Sequence, residues 1–349
     1  MRILVTGAAG FIGSHVVEAL LARGHELRAL DSFDPSVHAR RPEHLDPRAD
    51  WIAADVLDRA ALGGAVDGVE AVSHQAAIVG LERGIGDAPR YVRANDLGTA
   101  ELLAACAEAG VPRLVLASSM AVYGEGAYVC ERCGPCRPRQ RDPREFRAGR
   151  FDPRCPNCGR TLDPVAVSEE QPPEPRSVYA ATKLHQEHLA LAAARLAGIA
   201  VTALRYHNVY GPRMPRNTPY AGVASIFRSQ LAEGRAPRVF EDGRQRRDFV
   251  HVADVARANV LAIERDEPAT GVFNIGSGES RTILDLARAL GAATGGPEPL
   301  ITGEFRAGDV RHVFASSERA RRVLGYRAEM AFERGIVELV RAPLGEPVA

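Results

Sequence analysis

The chain has 349 residues, of which 46% are hydrophobic and 25% are charged, and its 44 basic residues balance its 44 acidic ones. This composition excludes collagen-like, coiled-coil and wholly disordered chains, and the length predicts a large core, in two domains or in one large domain. The absence of formal net charge excludes a global electrostatic attraction to nucleic acid or to an anionic membrane. With neither a secretory signal nor a run of about 18 apolar residues, the sequence predicts a cytoplasmic protein.

Short apolar runs alternate with helical patterns along most of the chain. Runs typical of buried strands occur at 2–6, 27–30, 51–54, 70–73, 114–118, 199–205 and 272–275. Helical patterns lie between several of these runs, at 14–22, 99–109 and 179–196. Strands and helices that alternate in this way form βαβ units. The sequence therefore predicts an α/β fold with one doubly wound parallel sheet of about seven strands and a smaller C-terminal lobe.

The first predicted strand leads directly into a glycine-rich turn and then into a helix. Gly7, Gly10 and Gly13 follow the strand at once. Glycines at this spacing allow the backbone to approach a pyrophosphate, which would lie at the positive N-terminus of the helix. The turn is therefore predicted to bind a dinucleotide.

Acidic residues follow the second and third predicted strands. Asp31 ends the second strand, where a carboxylate accepts a hydrogen bond from the 2′-hydroxyl of NAD and repels the 2′-phosphate of NADP. The alternative for Asp31 is an ordinary turn aspartate. Asp55 and Val56 follow the third strand and are predicted to hold the adenine, although Asp55 could instead cap the next helix.

Lysine occurs once in the chain, at Lys183. It could be a chance survivor of a bias toward arginine, but an ammonium offers a compact, flexible charge that a guanidinium does not. Tyr179 lies four residues earlier, on the same face of the predicted helix. The ammonium and the positive nicotinamide ring are expected to lower the pKa of this tyrosine, so that it can act as a base. Ser119, at the end of the fifth strand, could bind the same substrate oxygen, which favours a catalytic set over a tyrosine that merely packs on a helix face.

The alternation of strands and helices stops between residues 125 and 167. This segment is rich in Pro, Arg and Asp and cannot form a core by itself. It contains two Cys-x-x-Cys-Gly pairs, formed by Cys130, Cys133, Cys155 and Cys158. Their spacing is typical of a zinc ribbon, and four thiolates would complete a tetrahedral structural site. A redox role is the alternative, and Cys136 could replace one of the four ligands. Cys106, outside this segment, is predicted to be a small buried apolar residue.

Together, these motifs resemble those of the extended short-chain dehydrogenases/reductases, and among them the NAD-dependent epimerase/dehydratase family of nucleotide-sugar enzymes. The matching segments cover nearly the whole chain outside 125–167. They are 7–13, Asp31, 74–77, Asn95, 118–124, 179–183, 205–212, 247–252 and 306–309.

The resemblance implies a Rossmann fold, a homodimer and roles for particular residues. Catalysis is assigned to Ser119, Tyr179 and Lys183. NAD is expected to contact Gly7, Gly10, Phe11, Ile12, Gly13, Asp31, Ser32, Asp55, Val56, Ala76, Ala77, Asn95, Tyr179 and Lys183. The nucleotide sugar is expected to contact Asn208, Val223, Arg247 and Arg306, where arginine suits a diphosphate because its planar fork binds phosphate oxygens in pairs.

The resemblance also divides the chain. Residues 1–124 and 168–212 are expected to form the NAD-binding domain, to which 247–276 returns. Residues 125–167 form the zinc-ribbon-like insertion. Residues 213–246 and 277–345 form the nucleotide-sugar lobe.

Met120 and Ala121 bear on the reaction within this family. The 4,6-dehydratases place an Asp-Glu pair there, and methionine and alanine cannot transfer protons. The simplest remaining reaction is 4-epimerisation, by oxidation at C4, rotation of the keto sugar and reduction from the other face. The stretch 217–227, with 240–243, most resembles dTDP-L-rhamnose 4-epimerases, so the predicted substrate is an NDP-hexose or NDP-6-deoxyhexose such as dTDP-L-rhamnose.

Two other functions are compatible with parts of the sequence. A 4-ketoreductase would use NAD(P)H as a dissociable substrate, and Asp31 argues against NADPH. An NAD-sensing binding protein could contact nucleic acid through the arginines of 137–154. The complete catalytic set of Ser119, Tyr179 and Lys183 argues against a sensor, so no nucleic-acid partner and no membrane is expected.

Overall fold

The computed structural model describes residues 1–38, 40–80, 84–216, 222–306 and 308–344. Residues 217–221, which belong to the stretch resembling dTDP-L-rhamnose 4-epimerases, lie outside the described residues, as does Ala307 of the 306–309 motif. The strands are β1 (Arg2–Thr6), β2 (Glu26–Asp31), β3 (Asp50–Ala53), β4 (Ala71–His74), β5 (Arg113–Ser119), β6 (Ala127–Cys130), β7 (Gly134–Cys136), β8 (Asp163–Val165), β9 (Ala200–Tyr206), β10 (Asn208–Tyr210), β11 (Arg238–Val239), β12 (Arg246–His251), β13 (Gly271–Ile275), β14 (Ser280–Thr282), β15 (Leu300–Ile301) and β16 (His312–Val313).

The α-helices are α1 (Phe11–Ala22), α2 (Arg59–Val66), α3 (Ala88–Tyr91), α4 (Gly98–Glu108), α5 (Pro143–Arg147), α6 (Val178–Ala197), α7 (Val223–Ala232), α8 (Val252–Glu264), α9 (Ile283–Thr294), α10 (Glu318–Leu324) and α11 (Phe332–Arg341). Short 3₁₀ turns cover Ile85–Asp87 and Met120–Tyr123, and a π-helical segment covers Val92–Leu97. In the parts of the chain that the structure describes, no helix is long and apolar enough to cross a membrane.

The main sheet has seven parallel strands in the order β13-β9-β5-β4-β1-β2-β3. All seven predicted strand runs are confirmed, with ends that differ by one residue at most. The order reverses at β1, which pairs with β2 on one side and with β4 on the other. In doubly wound sheets, ligands bind beyond the carboxyl ends of the strands at this reversal. The predicted Rossmann-type α/β fold is confirmed, and its topology locates a site at the ends of β1 and β4.

Apolar side chains cover both faces of this sheet. Because side chains alternate along a strand, Ile3 and Val5 join one hydrophobic cluster with residues of α1 and α8, whereas Leu4 joins another with residues of α2, α4 and α6. Cys106 lies in the second cluster, fully buried, as predicted, and burial raises the pKa of its thiol to about 12. The sheet is therefore a rigid central layer from which loops extend at its carboxyl edge.

A smaller layer is built from the C-terminal part of the chain. A four-stranded sheet contains β10, β12 and β14, with β16 also paired to β12, and β11 pairs with β15. Side chains of α7, α9 and α11 form a separate core around Phe227, Leu290 and Ile336. Within 247–276, β12 belongs to this smaller sheet, whereas α8 and β13 pack with the main sheet.

The 125–167 segment forms a three-stranded antiparallel sheet in the order β7-β6-β8. Tyr128, Leu162 and the buried cysteines Cys130 and Cys155 form a core of only a few side chains. So small a core buries little apolar surface, so the fold of the segment depends on other contacts or on a metal.

Candidate active site

The turn between β1 and α1 is shaped by two glycines that leave no room for a side chain. Gly7 has a φ of 63°, and a Cβ there would lie 2.6 Å from the amide nitrogen of Ala76. A Cβ at Gly13 would lie 2.0 Å from the carbonyl oxygen of Gly7. Gly10 precedes α1 and provides no side chain to cap its N-terminal amides. These amides are the groups that bind a pyrophosphate at a helix N-terminus, so the turn fits a dinucleotide.

Asp31 lies at the end of β2, as predicted, and is largely buried. One carboxylate oxygen accepts a 2.9 Å hydrogen bond from the amide of Ala9, and the other accepts one of 2.9 Å from the amide of Phe33. Asp31 thus connects the glycine-rich turn to β2. Each carboxylate oxygen has a further lone pair, so the residue can also accept a ribose hydroxyl.

Asp55 is exposed in the loop after β3 and accepts a hydrogen bond from the amide of Leu57. The alternative that Asp55 caps the next helix is wrong. Asp58 is the cap of α2, because its carboxylate accepts hydrogen bonds from Ala60 and Ala61. Val56 is buried, as a residue that packs against one face of an adenine would be.

Ser119, Tyr179 and Lys183 meet at the carboxyl edge of the sheet. Ser177 caps α6, which places Tyr179 in the first turn and Lys183 one turn later. The ammonium of Lys183 is buried and donates a 3.0 Å hydrogen bond to the carbonyl of Ala117, on β5. Ser119 ends the same strand, and its hydroxyl lies close enough to the phenol of Tyr179 to lower the pKa of that phenol. The structure therefore brings together the three side chains that the sequence predicted to be catalytic.

Burial dominates the electrostatics of this set. The pKa of Tyr179 is raised, because the effect of burial outweighs that of the neighbouring Ser119 side chain, which lowers it. The Lys183 ammonium is directed at the Ala117 carbonyl and is itself destabilised: burial lowers its pKa to about 8, against the opposing charges of Glu187 and Asp96. Burial therefore opposes the phenolate form of Tyr179, and a further positive charge beside the phenol would favour it.

Both polar atoms of the Asn95 side chain form hydrogen bonds with other residues of the protein. Its oxygen accepts a 2.8 Å hydrogen bond from the amide of Ile78, and its nitrogen donates to the carbonyl of Ile78 and to the hydroxyl of Thr182, both at 3.0 Å. Asn95 therefore joins the loop after β4, which carries Ala76 and Ala77, to α6. This arrangement suits a residue that positions the NAD-binding loop.

A buried network behind the catalytic set was missed by the sequence reasoning. Glu187 and Arg205 form a two-point ion pair with distances of 2.8 and 2.7 Å, and both side chains are almost fully buried. Ser118 donates to Glu187, and Arg205 donates to the hydroxyl of Tyr123 at 2.9 Å. Glu187 lies four residues after Lys183, so the same helical spacing that linked the tyrosine to the lysine could have identified it.

Two of the four residues predicted to hold the substrate lie near the same acid, Asp309. Arg247 and Arg306 both lie close enough to Asp309 to oppose the rise in its pKa that partial desolvation causes. Arg306 is exposed and lies over the ring of Phe240 at 5.1 Å. The side-chain oxygen of Asn208 is buried and has no hydrogen-bond partner among the described residues. Val223 begins α7.

The four cysteines of the two Cys-x-x-Cys pairs lie together. Their sulfur atoms are all within 4.8 Å of one another, and Cys136 is not part of the group. The pKa of Cys155 is lowered to about 6. Burial raises it, but hydrogen bonds from the amides of Asn157 and Cys158 and from neighbouring thiols lower it by more. Zinc–sulfur bonds of about 2.3 Å place tetrahedral sulfur ligands about 3.8 Å apart. The cluster therefore fits a tetrahedral zinc.

The arginines of 137–154 do not form a free cationic patch. Five of the seven make ion pairs with acidic residues: Arg137 with Glu174, Arg141 with Glu241, Arg144 with Asp142, and both Arg150 and Arg154 with Glu145. Charges neutralised by protein carboxylates release few counterions from a nucleic acid. Five of the seven arginines of this segment are therefore partly neutralised by neighbouring carboxylates.

The doubly wound sheet and the tyrosine–lysine pair at its carboxyl edge place the chain among the extended short-chain dehydrogenases/reductases. Such proteins bind a nicotinamide dinucleotide across the reversal in strand order. The chain belongs to the NAD-dependent epimerase/dehydratase family, whose model matches residues 3–141 and 158–276. The gap between the two matched stretches, residues 142–157, lies within the 125–167 segment.

Individual relatives match over nearly the whole chain. The dTDP-L-rhamnose 4-epimerase of Burkholderia thailandensis is 38% identical over 344 residues, covering 97% of this chain and 93% of that protein. The structure of the Thermus thermophilus UDP-glucose 4-epimerase in complex with NAD is 32% identical, with a TM-score of 0.78 over 97% of this chain and 98% of that one. The Thermotoga maritima UDP-glucose 4-epimerase with UDP-glucose is 30% identical, with a TM-score of 0.79 over 97% of each chain.

Proposed function

We propose that this protein is an NAD-dependent nucleotide-sugar 4-epimerase, an isomerase that oxidises C4, lets the keto sugar rotate and reduces it from the opposite face. The observation that carries the proposal is the meeting of Ser119, Tyr179 and Lys183 beside a turn that only glycines can form. Relatives that are 4-epimerases and align with 97% of the chain support it.

NAD would be held by the glycine-rich turn, the N-terminus of α1 and the carboxylate of Asp31. Gly7, Gly10, Gly13, Phe11 and Ile12 would surround the pyrophosphate, and Ser32, Asp55, Val56, Ala76 and Ala77 would line the adenosine and nicotinamide halves. When bound, NAD accepts a hydride from C4 and returns it, and its oxidised ring carries a further positive charge that favours the phenolate form of Tyr179.

Tyr179 acts as the base, accepting the proton of the C4 hydroxyl. Ser119 hydrogen-bonds the same oxygen and orients it toward the phenol. Lys183 is protonated below pH about 8, and its charge favours the phenolate form of Tyr179. On reduction, Tyr179 returns the proton to the new hydroxyl group.

Met120 and Ala121 favour epimerisation over dehydration. They begin the 3₁₀ turn directly after Ser119, and neither side chain can donate or accept a proton. Elimination from a keto sugar must break a C–H bond beside the carbonyl, which needs a general acid and base. Inversion at C4 needs no general acid or base besides Tyr179, so it is the reaction these residues support.

The substrate class follows from the arginines and from the relatives. Arg247 and Arg306 flank Asp309 and would bind the diphosphate, with Asn208 and Val223 beside the sugar or the nucleoside. The 38% identity with a dTDP-L-rhamnose 4-epimerase supports an NDP-6-deoxyhexose such as dTDP-L-rhamnose.

The cysteine cluster completes the proposal as a structural zinc site held by Cys130, Cys133, Cys155 and Cys158. The sulfur separations support it, and four thiolates leave no open position for catalysis. We further assign the enzyme to the cytoplasm, and we assign it a homodimeric state. Light scattering of the purified protein tests the homodimer.

The experiment that tests the reaction is NMR of purified protein with sugar nucleotides in D2O, without added NAD. The expected product is inverted at C4 and carries no deuterium on carbon, because the hydride that leaves C4 also returns to it. Deuterium at C3 or C5 would contradict the proposal by revealing proton abstraction beside the carbonyl. Release of a stable 4-keto product would assign a different reaction.

A further inference from the structure

Arg311 is the largest fully buried side chain outside the hydrophobic clusters, with none of its surface exposed. Its guanidinium donates to both carboxylate oxygens of Asp242 at 2.7 and 2.9 Å, to Glu241 at 2.7 Å and to Asp152 at 2.8 Å. A buried charge is tolerated only when it is paired and hydrogen-bonded, and removing one partner is strongly destabilising. The position of Arg311 is therefore tightly determined by these three carboxylates.

The 125–167 segment provides much of this environment. Asp152 and Arg141 both belong to it. Arg141 donates a 2.9 Å hydrogen bond to one carboxylate oxygen of Glu241, and Arg311 donates to the other oxygen of the same carboxylate. Glu125, at the start of the segment, is buried and accepts hydrogen bonds from the backbone amides of Arg311 at 2.6 Å and of His312 at 3.1 Å. The segment thus holds both the side chain and the backbone of residue 311.

The opposite side of the same backbone holds Arg247. One guanidinium nitrogen of Arg247 donates to the carbonyl of Arg311 at 2.9 Å, and the other donates to the carbonyl of Val310 at 2.8 Å. A third carbonyl, that of Arg246, accepts a bond of 2.8 Å. A guanidinium has five N–H donors, so two remain for a ligand while the carbonyls fix its orientation.

We propose that Glu125, Arg141 and Asp152 of the inserted segment are positioning residues for the nucleotide-sugar diphosphate, acting through the backbone of residues 310–311 on Arg247. This inference rests on the proposed function, because it takes Arg247 to bind the diphosphate. The insertion is then part of substrate recognition, although it contributes no catalytic side chain. The insertion holds the Arg247 side chain in the conformation that binds the diphosphate, so less conformational freedom is lost on binding.

The test is the affinity of the NAD-loaded protein for UDP and dTDP, measured by calorimetry, which needs no turnover. Asp152→Ala and, independently, Arg141→Ala are expected to weaken nucleoside-diphosphate binding on the order of tenfold or more, as small misplacements of a binding group do. The NAD content per chain should not change. The control is Arg150→Ala, which breaks an exposed ion pair with Glu145 inside the same segment and should leave the affinity unchanged.

A double-mutant cycle separates positioning from general damage. In an Arg247→Ala background, Asp152→Ala should have no further effect on the affinity, because the only route by which it acts has been removed. Additive losses, or an unchanged affinity in both folded single variants, would overturn the inference. The circular dichroism of each variant reports folding, and Arg141→Ala carries the test if Asp152→Ala does not fold. Nucleotide binding without epimerisation would overturn the proposed function while leaving this inference standing.

Discussion

Lys183 is the only lysine of the chain, and its ammonium is buried against the carbonyl of Ala117. Arginine would keep the charge, but its larger planar fork cannot occupy the same position. We expect Lys183→Arg to lower kcat by at least about 100-fold, the usual range for a lost proton-transfer contribution, with an unchanged circular dichroism spectrum. Arg195→Lys, at an exposed position of the same helix, should behave as wild type. Normal turnover by Lys183→Arg would refute the role of the lysine.

The pH dependence follows from the same residue. Burial lowers the pKa of Lys183 to about 8, and the nearby carboxylates of Glu187 and Asp96 oppose this shift. The ammonium is present below that pKa and is lost as the pH rises through it, so kcat should fall on the alkaline side with a midpoint near pH 8. Asp96→Asn removes a charge that raises this pKa, and the fall should therefore begin at lower pH. A kcat–pH profile that is identical in this variant would contradict the assignment.

At the scale of elements, α1 can approach the turn before it only because Gly13 lacks a side chain. A Cβ there would lie 2.0 Å from the Gly7 oxygen and 3.0 Å from the Ala8 Cα, and neither backbone atom can move cheaply. Gly13→Ala should lower the free energy of unfolding by about 1–3 kcal/mol, as overpacking does, and reduce the NAD content.

The matched control is Gly64→Ala, in the interior of α2, where a Cβ meets nothing within 4 Å. This variant should gain about 0.5–1 kcal/mol, because alanine favours a helix over glycine. Denaturant unfolding measures both changes. If the two variants were equally stable, the close approach at Gly13 would not be what shapes the turn.

At the scale of the whole molecule, the cysteine cluster joins the turn between β6 and β7 to residues 155–158 within the 125–167 segment. Because the hydrophobic core of the segment is small, loss of the metal should loosen it. Cys158→Ser should remove about one zinc per chain and increase amide hydrogen exchange in 125–167, while NAD stays bound through the separate main sheet. Cys136→Ser, outside the group of four, should retain the metal. Elemental analysis that finds no metal in wild-type protein purified without chelators would refute the site.

Much of the main fold and of the catalytic set was determined by the sequence alone. The seven strands are short apolar runs, and their burial on both faces of a parallel sheet leaves a local signal. Gly7 has a positive φ, and Gly13 meets the backbone of Gly7 two helical turns or less away in the chain. Tyr179 and Lys183 share a helix face through a spacing of four. Each of these features depends on neighbours in sequence, which is why sequence patterns predict them.

Only the tertiary structure decided the features that depend on burial and on distant residues. The raised pKa of Tyr179 reflects burial between elements far apart in the chain, and the engagement of Asn95 by Ile78 and Thr182 depends on how α6 packs. The same holds for the contact of Asp152 with Arg311, 159 residues apart in sequence. Local spacing carries no information about such pairs, because the packing of whole layers brings them together.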